Sequence, residues 1–380
     1  MPSDSQQRLP HSSAEPARPA PEADGRTPQQ RAYIGSFTSA GGRGVTTARL
    51  TPEDGALHVT HHTEGTLPDP SYLALRDGWL YAVSEREAGA VAAFSRTDPD
   101  RPALVGEPEP VAGDSPTHLA LAGARLATAN YGSGSVSLVR VQPDGTLQGP
   151  AQVLPHRGSG PDPDRQSGPH AHAVLPDPTG RWLLSADLGT DSIWVYDLAE
   201  PDERPRLHAE VPLEPGSGPR QLAFHPDGRH VYVTQELLPR VTVCAWDGDT
   251  GTLRPVSYVD LRPPESAELS ASDAGAEPRG YPSQLVVAAD GRYAWVAVRG
   301  HDSIVVLEPD TTGDELTQLA AVDCGGHWPR DLSLHPTQRW LYAANERSGD
   351  VTWFAVDPGT GTPRRAGSLT APGASCVVFA

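Results

Sequence analysis

Four residues far apart in the chain, His172, Arg220, Glu236 and Arg299, occupy matching places in a phrase that the sequence repeats. An imidazole and a carboxylate can each take a proton from water. Two guanidiniums can hold an anionic group, or a carbonyl oxygen as charge develops on it. Such a set suits hydrolysis or proton transfer on an anionic, oxygen-rich substrate. How these residues could meet depends on the elements that carry them.

The phrase is roughly Pro-x-x-Leu, then a turn such as Asp-Gly-Arg, then an apolar run ending in a polar residue. It begins at Pro70-Ser71-Tyr72-Leu73, Pro116-Thr117-His118-Leu119, His170-Ala171-His172-Ala173, Pro219-Arg220-Gln221-Leu222, Pro282-Ser283-Gln284-Leu285 and Pro329-Arg330-Asp331-Leu332. A spacing of about 45 to 60 residues is the period of a β-propeller blade. Within each copy, short runs rich in β-branched and aromatic residues, such as residues 231–234 and 293–298, follow turn residues. A second run follows (192–196, 240–244, 303–307, 350–354), and a Gly-Thr-Leu phrase (145–147, 251–253) opens a fourth, outer strand. Residues 374–379 read as an innermost strand with nothing after it, and residues 32–37 as a second strand with nothing before it. The expectation is an all-β, seven-bladed β-propeller over residues 31–380, with four antiparallel strands per blade and the last blade closed by both termini. Residues 1–30 carry Pro, Ser, Gln, Ala and charge without an apolar run and are expected to form a disordered tail.

Aligning the copies by their turn glycines defines two slots. The first, near the start of each innermost strand, holds Ser71, Thr117, His172, Arg220, Ser283, Arg330 and Ser375. The second, at the end of the next strand, holds Phe37, Glu85, Tyr131, Leu188, Glu236, Arg299 and Glu346. In antiparallel neighbours these ends lie side by side, so both rings should face one mouth of the central channel. His172, Arg220, Glu236 and Arg299 are then the catalytic candidates, on the third, fourth and fifth blades. His170, Glu85, Arg330 and Glu346 are candidates for holding substrate. Arg–Glu pairs can equally tie neighbouring blades together, and Ser or Thr at strand starts can serve turns. Two loops, residues 157–168 and 263–280, enter innermost strands from the same side, as lids or as disordered segments.

Composition narrows the function. Net charge is −18, and all 30 cationic side chains are Arg, since Lys is absent. That excludes a Walker-type phosphate loop, Schiff-base chemistry and a Lys base, and it argues against a nucleic-acid partner. No run approaches the roughly 18 apolar residues of a membrane span. Three widely spaced cysteines indicate neither a disulfide framework nor a zinc site, which fits a cytoplasmic location. His170 and His172 lack a third convergent ligand, and no metal or other cofactor is expected. Gly-x-Ser-x-Gly, His-Glu-x-x-His and Gly-x-Gly-x-x-Gly are missing, so serine-hydrolase, zincin and dinucleotide chemistry have no motif to carry them.

The phrases Tyr33-Ile34-Gly35-Ser36-Phe37-Thr38, Pro169-His170-Ala171-His172, Gly218-Pro219-Arg220, Phe224-His225-Pro226 and Arg299-Gly300-His301-Asp302 resemble the lactonase propeller family. That family contains cycloisomerase-type 6-phosphogluconolactonases and carboxy-cis,cis-muconate lactonizing enzymes. The resemblance runs from about residue 31 to the C-terminus, with Gln221 where the bacterial lactonases often carry His. It implies that His172, Arg220, Arg299 and Glu236 form the catalytic set. It implies a lactone hydrolase acting on 6-phosphoglucono-1,5-lactone or a related small anionic lactone. A muconate-type cycloisomerase and a non-catalytic binding propeller are the alternatives.

Overall fold

The computed structural model describes residues 30–198, 204–262 and 280–380. The tail assigned to residues 1–30 and the loop at 263–280 lie outside the described residues, except Gln30 and Gly280. The chain forms seven four-stranded antiparallel sheets, in which consecutive strands run from the channel outward. Blade 3, for example, comprises Ala171–Pro176, Trp182–Asp187, Ser192–Asp197 and Arg206–Pro212. Blade 4 comprises Pro219–Phe224, His230–Gln235, Arg240–Asp247 and Thr252–Asp260.

Both termini build the seventh blade, as the sequence pattern requires. Ala374–Phe379 pairs with Arg31–Ser36, in register from Ala32 opposite Phe379. Arg31 and Ala380 also exchange backbone hydrogen bonds of 3.1 and 2.9 Å. This closure leaves no unpaired inner sheet edge at the chain ends.

The core is distributed over the seams. Seven apolar clusters each join two neighbouring blades, such as the Trp182, Ile193, Val231 and Trp246 group between blades 3 and 4. Second strands such as Trp182–Asp187 are buried along their whole length, whereas the outermost strands alternate exposed and half-buried residues. The Gly-Thr-Leu phrase has a packing reason. Gly145 (φ 85°) and Gly251 (φ 70°) lie in turns under Trp79 and Trp182 of the preceding blade, and a Cβ there would come within 2.0 and 2.7 Å of the indole. Only glycine meets both demands. Each blade thereby locks to its neighbour, and the ring holds the channel mouth in a fixed shape.

Candidate functional site

The first slot coincides with a β-bulge. The register between innermost and second strands shifts around Thr117, His172, Arg220, Ser283, Arg330 and Ser375, so each is an extra residue without a cross-strand partner. A bulge bends the strand and re-aims its side chain. It also breaks the alternation of faces, so the following residue can point into the channel as well. His118, Gln221 and Asp331 accordingly line the same small cavity as His172, Arg220 and Arg330, together with Tyr72, Thr117 and Ser375. That cavity measures about 10 Å³, room for about one water.

Glu236 is the hub of the site. Its Oε2 accepts from Arg299 Nη2 at 2.6 Å and lies 3.0 Å from Arg220 Nε, and its Oε1 accepts from Arg165 Nη2 at 2.6 Å. Burial alone would raise its pKa, but Arg299, Arg220 and Arg165 hold its carboxyl well below the usual carboxylate range. Arg299 is further fixed by Nε donating to Tyr281 O at 3.2 Å, and it lies over Trp328. Burial and the nearby Arg299 lower Arg220 to about 9, which still leaves it cationic at neutral pH. Burial first, and then Arg220, push His172 well below the ordinary histidine range, so it is a neutral imidazole at pH 7.

Two atoms in this cluster stand out. His172 Nδ1 and Arg220 Nε are both buried and have no hydrogen-bond partner in the protein. The Arg220 N–H is not aimed at Glu236, so attraction there is between charges only. Buried polar atoms normally find partners. Here an acceptor and a cationic donor belong to residues lining the same cavity.

Arg330, Glu85 and Glu346 form a second cluster. Arg330 reaches across the seventh blade to Glu85 at 3.2 Å and pairs with Glu346 at 3.3 Å, while its guanidinium covers the Phe37 ring. Ser71 donates to Glu85. The two slots do face one mouth, but these carboxylates are already matched to Arg330. His170 stands apart from the cavity lining. Its ring stacks on Tyr131 at 4.4 Å, and its Nδ1 bonds the Tyr131 carbonyl at 2.8 Å. It therefore supports Tyr131, whose ring meets His172 edge-on at 5.6 Å.

Beneath the mouth, Asp331 accepts from Val377 N at 3.0 Å, and burial raises its pKa to about 7. The folded protein thus keeps a proton that the unfolded chain releases near pH 4. That contribution to stability is complete below about pH 4 and is lost as pH rises through about 7. Asp331→Asn retains the acceptor and removes the titration. Its melting temperature relative to wild type should rise between pH 5 and pH 8; an unchanged difference would contradict the buried proton.

The residue that the slots missed is Arg165. It sits in the 157–168 loop, which is folded over the mouth. Buried Gln166 anchors that loop, donating to Leu188 O at 2.8 Å and Asp191 Oδ1 at 2.7 Å, while Asp162 N donates back to its Oε1 at 3.1 Å. The sequence offers one signal, an Asp162-to-Arg165 turn with 162 Oδ1 accepting from 165 N at 3.1 Å. Asp187 was missed too. Its Oδ1 accepts the backbone N–H groups of His170, Gly189 and Thr190, and its Oδ2 pairs with His156 at 2.6 Å, fixing the strand that carries His172. Gly189 lets the loop pass closely, since a Cβ there would lie 2.0 Å from Gly168 O. Gly189→Ala should cost about 1–3 kcal/mol in urea unfolding and weaken catalysis, because backbone must move beside His170; unchanged stability would contradict this packing. Among the described residues, His225, Asp227 and His230 gather with metal-ligand spacing, but at the far end of blade 4. There His225 Nδ1 accepts from Asp227 N and His230 Nδ1 bonds Asp227 at 2.8 Å, as turn chemistry requires.

The fold and site together are a closed seven-bladed ring with a charged, buried cluster at one channel mouth. The chain belongs to the lactonase family described as "Lactonase, 7-bladed beta-propeller", whose sequence model matches residues 31–379. A 6-phosphogluconolactonase of Bacillus subtilis is 32% identical over 334 residues, 87% of this chain and 92% of that protein. The structure of a periplasmic gluconolactonase of Pseudomonas aeruginosa superposes with a TM-score of 0.82 at 32% identity, covering 92% of this chain and 98% of that one. A Lactobacillus plantarum protein of 25% identity superposes with a TM-score of 0.83, covering 93% and 99%.

Proposed function

We propose that this protein hydrolyses a sugar lactone, 6-phosphoglucono-1,5-lactone being the preferred substrate, at the Glu236-centred mouth. The observation that carries the reading is that two residues with an unpartnered buried group, His172 with its neutral imidazole and Arg220 with its Nε–H, line one cavity. In the reaction, His172 takes a proton from water as its oxygen attacks C1 of the lactone. Arg220, supported by Arg299, donates to the developing oxyanion, where one such donor contributes about 2.7–4 kcal/mol. The bond from C1 to the ring oxygen then breaks, and protonated His172 returns the proton to that oxygen. The product is an open-chain hydroxy acid. Glu236 is too strongly held as an anion to serve as an effective base; it keeps the guanidiniums charged, parallel to their task and in place.

No metal or cofactor has a role in this scheme. Opening this lactone would place the protein at the hydrolytic step of the pentose phosphate pathway. A cytoplasmic location is part of the proposal, supported by three free, buried cysteines; among the described residues no helix is long and apolar enough to cross a membrane. Turnover in ¹⁸O-labelled water tests the reaction type. Hydrolysis places one labelled oxygen in the carboxylate product, whereas a product formed without label would show isomerisation instead.

A further inference from the structure

Three guanidiniums surround Glu236, one carboxylate, and they are not equivalent. The Arg220 and Arg299 side chains are only 4% and 6% exposed, whereas that of Arg165 is 36% exposed at the rim. Arg330, at 18%, is already shared by Glu85 and Glu346. If Arg165 leaves, Glu236 keeps Arg299 at 2.6 Å and Arg220 at 3.0 Å, so its charge stays compensated. Arg165 is thus the guanidinium at this mouth that can change partners without stranding a buried anion.

Its surroundings favour that exchange. The backbone beneath it is fixed by Gln166 and Asp162, so the movement is confined to the side chain. Four guanidiniums (Arg165, Arg220, Arg299, Arg330) meet three carboxylates (Glu85, Glu236, Glu346) and Asp331, whose pKa of about 7 leaves it only partly ionised at neutral pH, so the mouth keeps a small positive excess within a chain of net charge −18. A surplus of positive charge at the rim of an acidic protein matches a ligand bearing its anion away from the reacting carbonyl. A sugar phosphate is such a ligand, and a guanidinium fork fits phosphate oxygens in pairs.

We infer that Arg165 is the phosphate-binding residue of the site, leaving Glu236 for the phosphate of the incoming ligand and so selecting phosphorylated over neutral sugar lactones. This rests on the lactone-hydrolase reading for its substrate, but not for its binding test. Calorimetry with 6-phosphogluconate and with gluconate compares a phosphorylated and an unphosphorylated sugar acid of the same length. Wild type should bind 6-phosphogluconate more tightly, and Arg165→Met should weaken it by about 10- to 100-fold, as loss of a charge-assisted bond does, while gluconate changes less than about threefold. Arg165→Lys should fall between, since it keeps the charge and loses the fork. In turnover, Arg165→Met should raise KM for 6-phosphoglucono-1,5-lactone more than KM for glucono-1,5-lactone, lowering the ratio of the two kcat/KM values. Equal losses on both ligands would show that Arg165 acts through Glu236, and no loss on either would show an idle contact; each overturns the inference. A wild type that turns over neither lactone yet shows the Arg165-dependent preference in binding would refute the hydrolase reading and leave this one standing.

Discussion

His172→Gln lowers kcat on the lactone by about 10²–10⁴-fold, the usual contribution of a positioned general base, while the propeller stays folded. The imidazole is buried, neutral and short of a partner at Nδ1. Gln keeps much of the volume and the polarity but cannot cycle a proton. Since burial and Arg220 hold the His172 pKa well below its ordinary value, wild-type kcat/KM should stay level through neutral pH and fall only in acid, below about 6.5. Stability carries the same signature with a definite sign. The unfolded chain protonates this histidine near pH 6.5 and the folded protein does not, so the native state loses stability as pH falls from about 6.5 towards the lower folded value. His172→Gln removes that loss. A stability difference between the two proteins that does not change from pH 7 to pH 5 would contradict a buried neutral imidazole.

Glu236→Gln costs about 3–5 kcal/mol of folding stability, because removing one member of a buried ion cluster leaves its partners uncompensated. Arg220 and Arg299 are almost wholly buried and would face each other without an intervening anion. Catalysis should fall as well, since both guanidiniums lose their orientation. Glu346→Gln, at the matching slot of blade 6, is the control. Its carboxylate is 25% exposed and shares Arg330 with Glu85, so it should cost under about 1 kcal/mol. Urea titrations of the three proteins give the comparison, and equal midpoints for both variants would mean that Glu236 is an ordinary blade-tying carboxylate.

Much of this was readable because a propeller writes its fold as a repeat. The phrase starting at Pro219 and its counterparts specify blade number, strand order and the shared seventh blade, and the turn glycines align the slots closely enough to isolate His172, Arg220, Glu236 and Arg299. What the slots cannot show is anything that is not repeated. Arg165 lies in an insertion with no counterpart in the other blades, so no alignment column contains it. His118 and Asp331 were overlooked, and Gln221 was noted only as a difference from the bacterial lactonases, for a different reason: period-two alternation sends the residue after the slot away from the channel, and the bulge at the slot cancels that rule. His170 was grouped with His172 by the same alternation, and the bulge separates them, leaving 170 stacked on Tyr131. Glu85 was ambiguous in sequence because a matching slot carries no information about a partner from a non-adjacent blade, and Glu346 because its same-blade neighbour Arg330 is shared with that distant carboxylate. Arg330 supplies that partner across 245 residues for Glu85.

The decay of freshly prepared 6-phosphoglucono-1,5-lactone, followed with wild type and with His172→Gln at pH 7, tests the central claim most directly. Wild type should open the lactone orders of magnitude faster than its spontaneous hydrolysis, and the variant should fall back close to the uncatalysed rate. Decay at the spontaneous rate with wild type, or equal acceleration by both proteins, would show that lactone chemistry does not take place at this channel mouth.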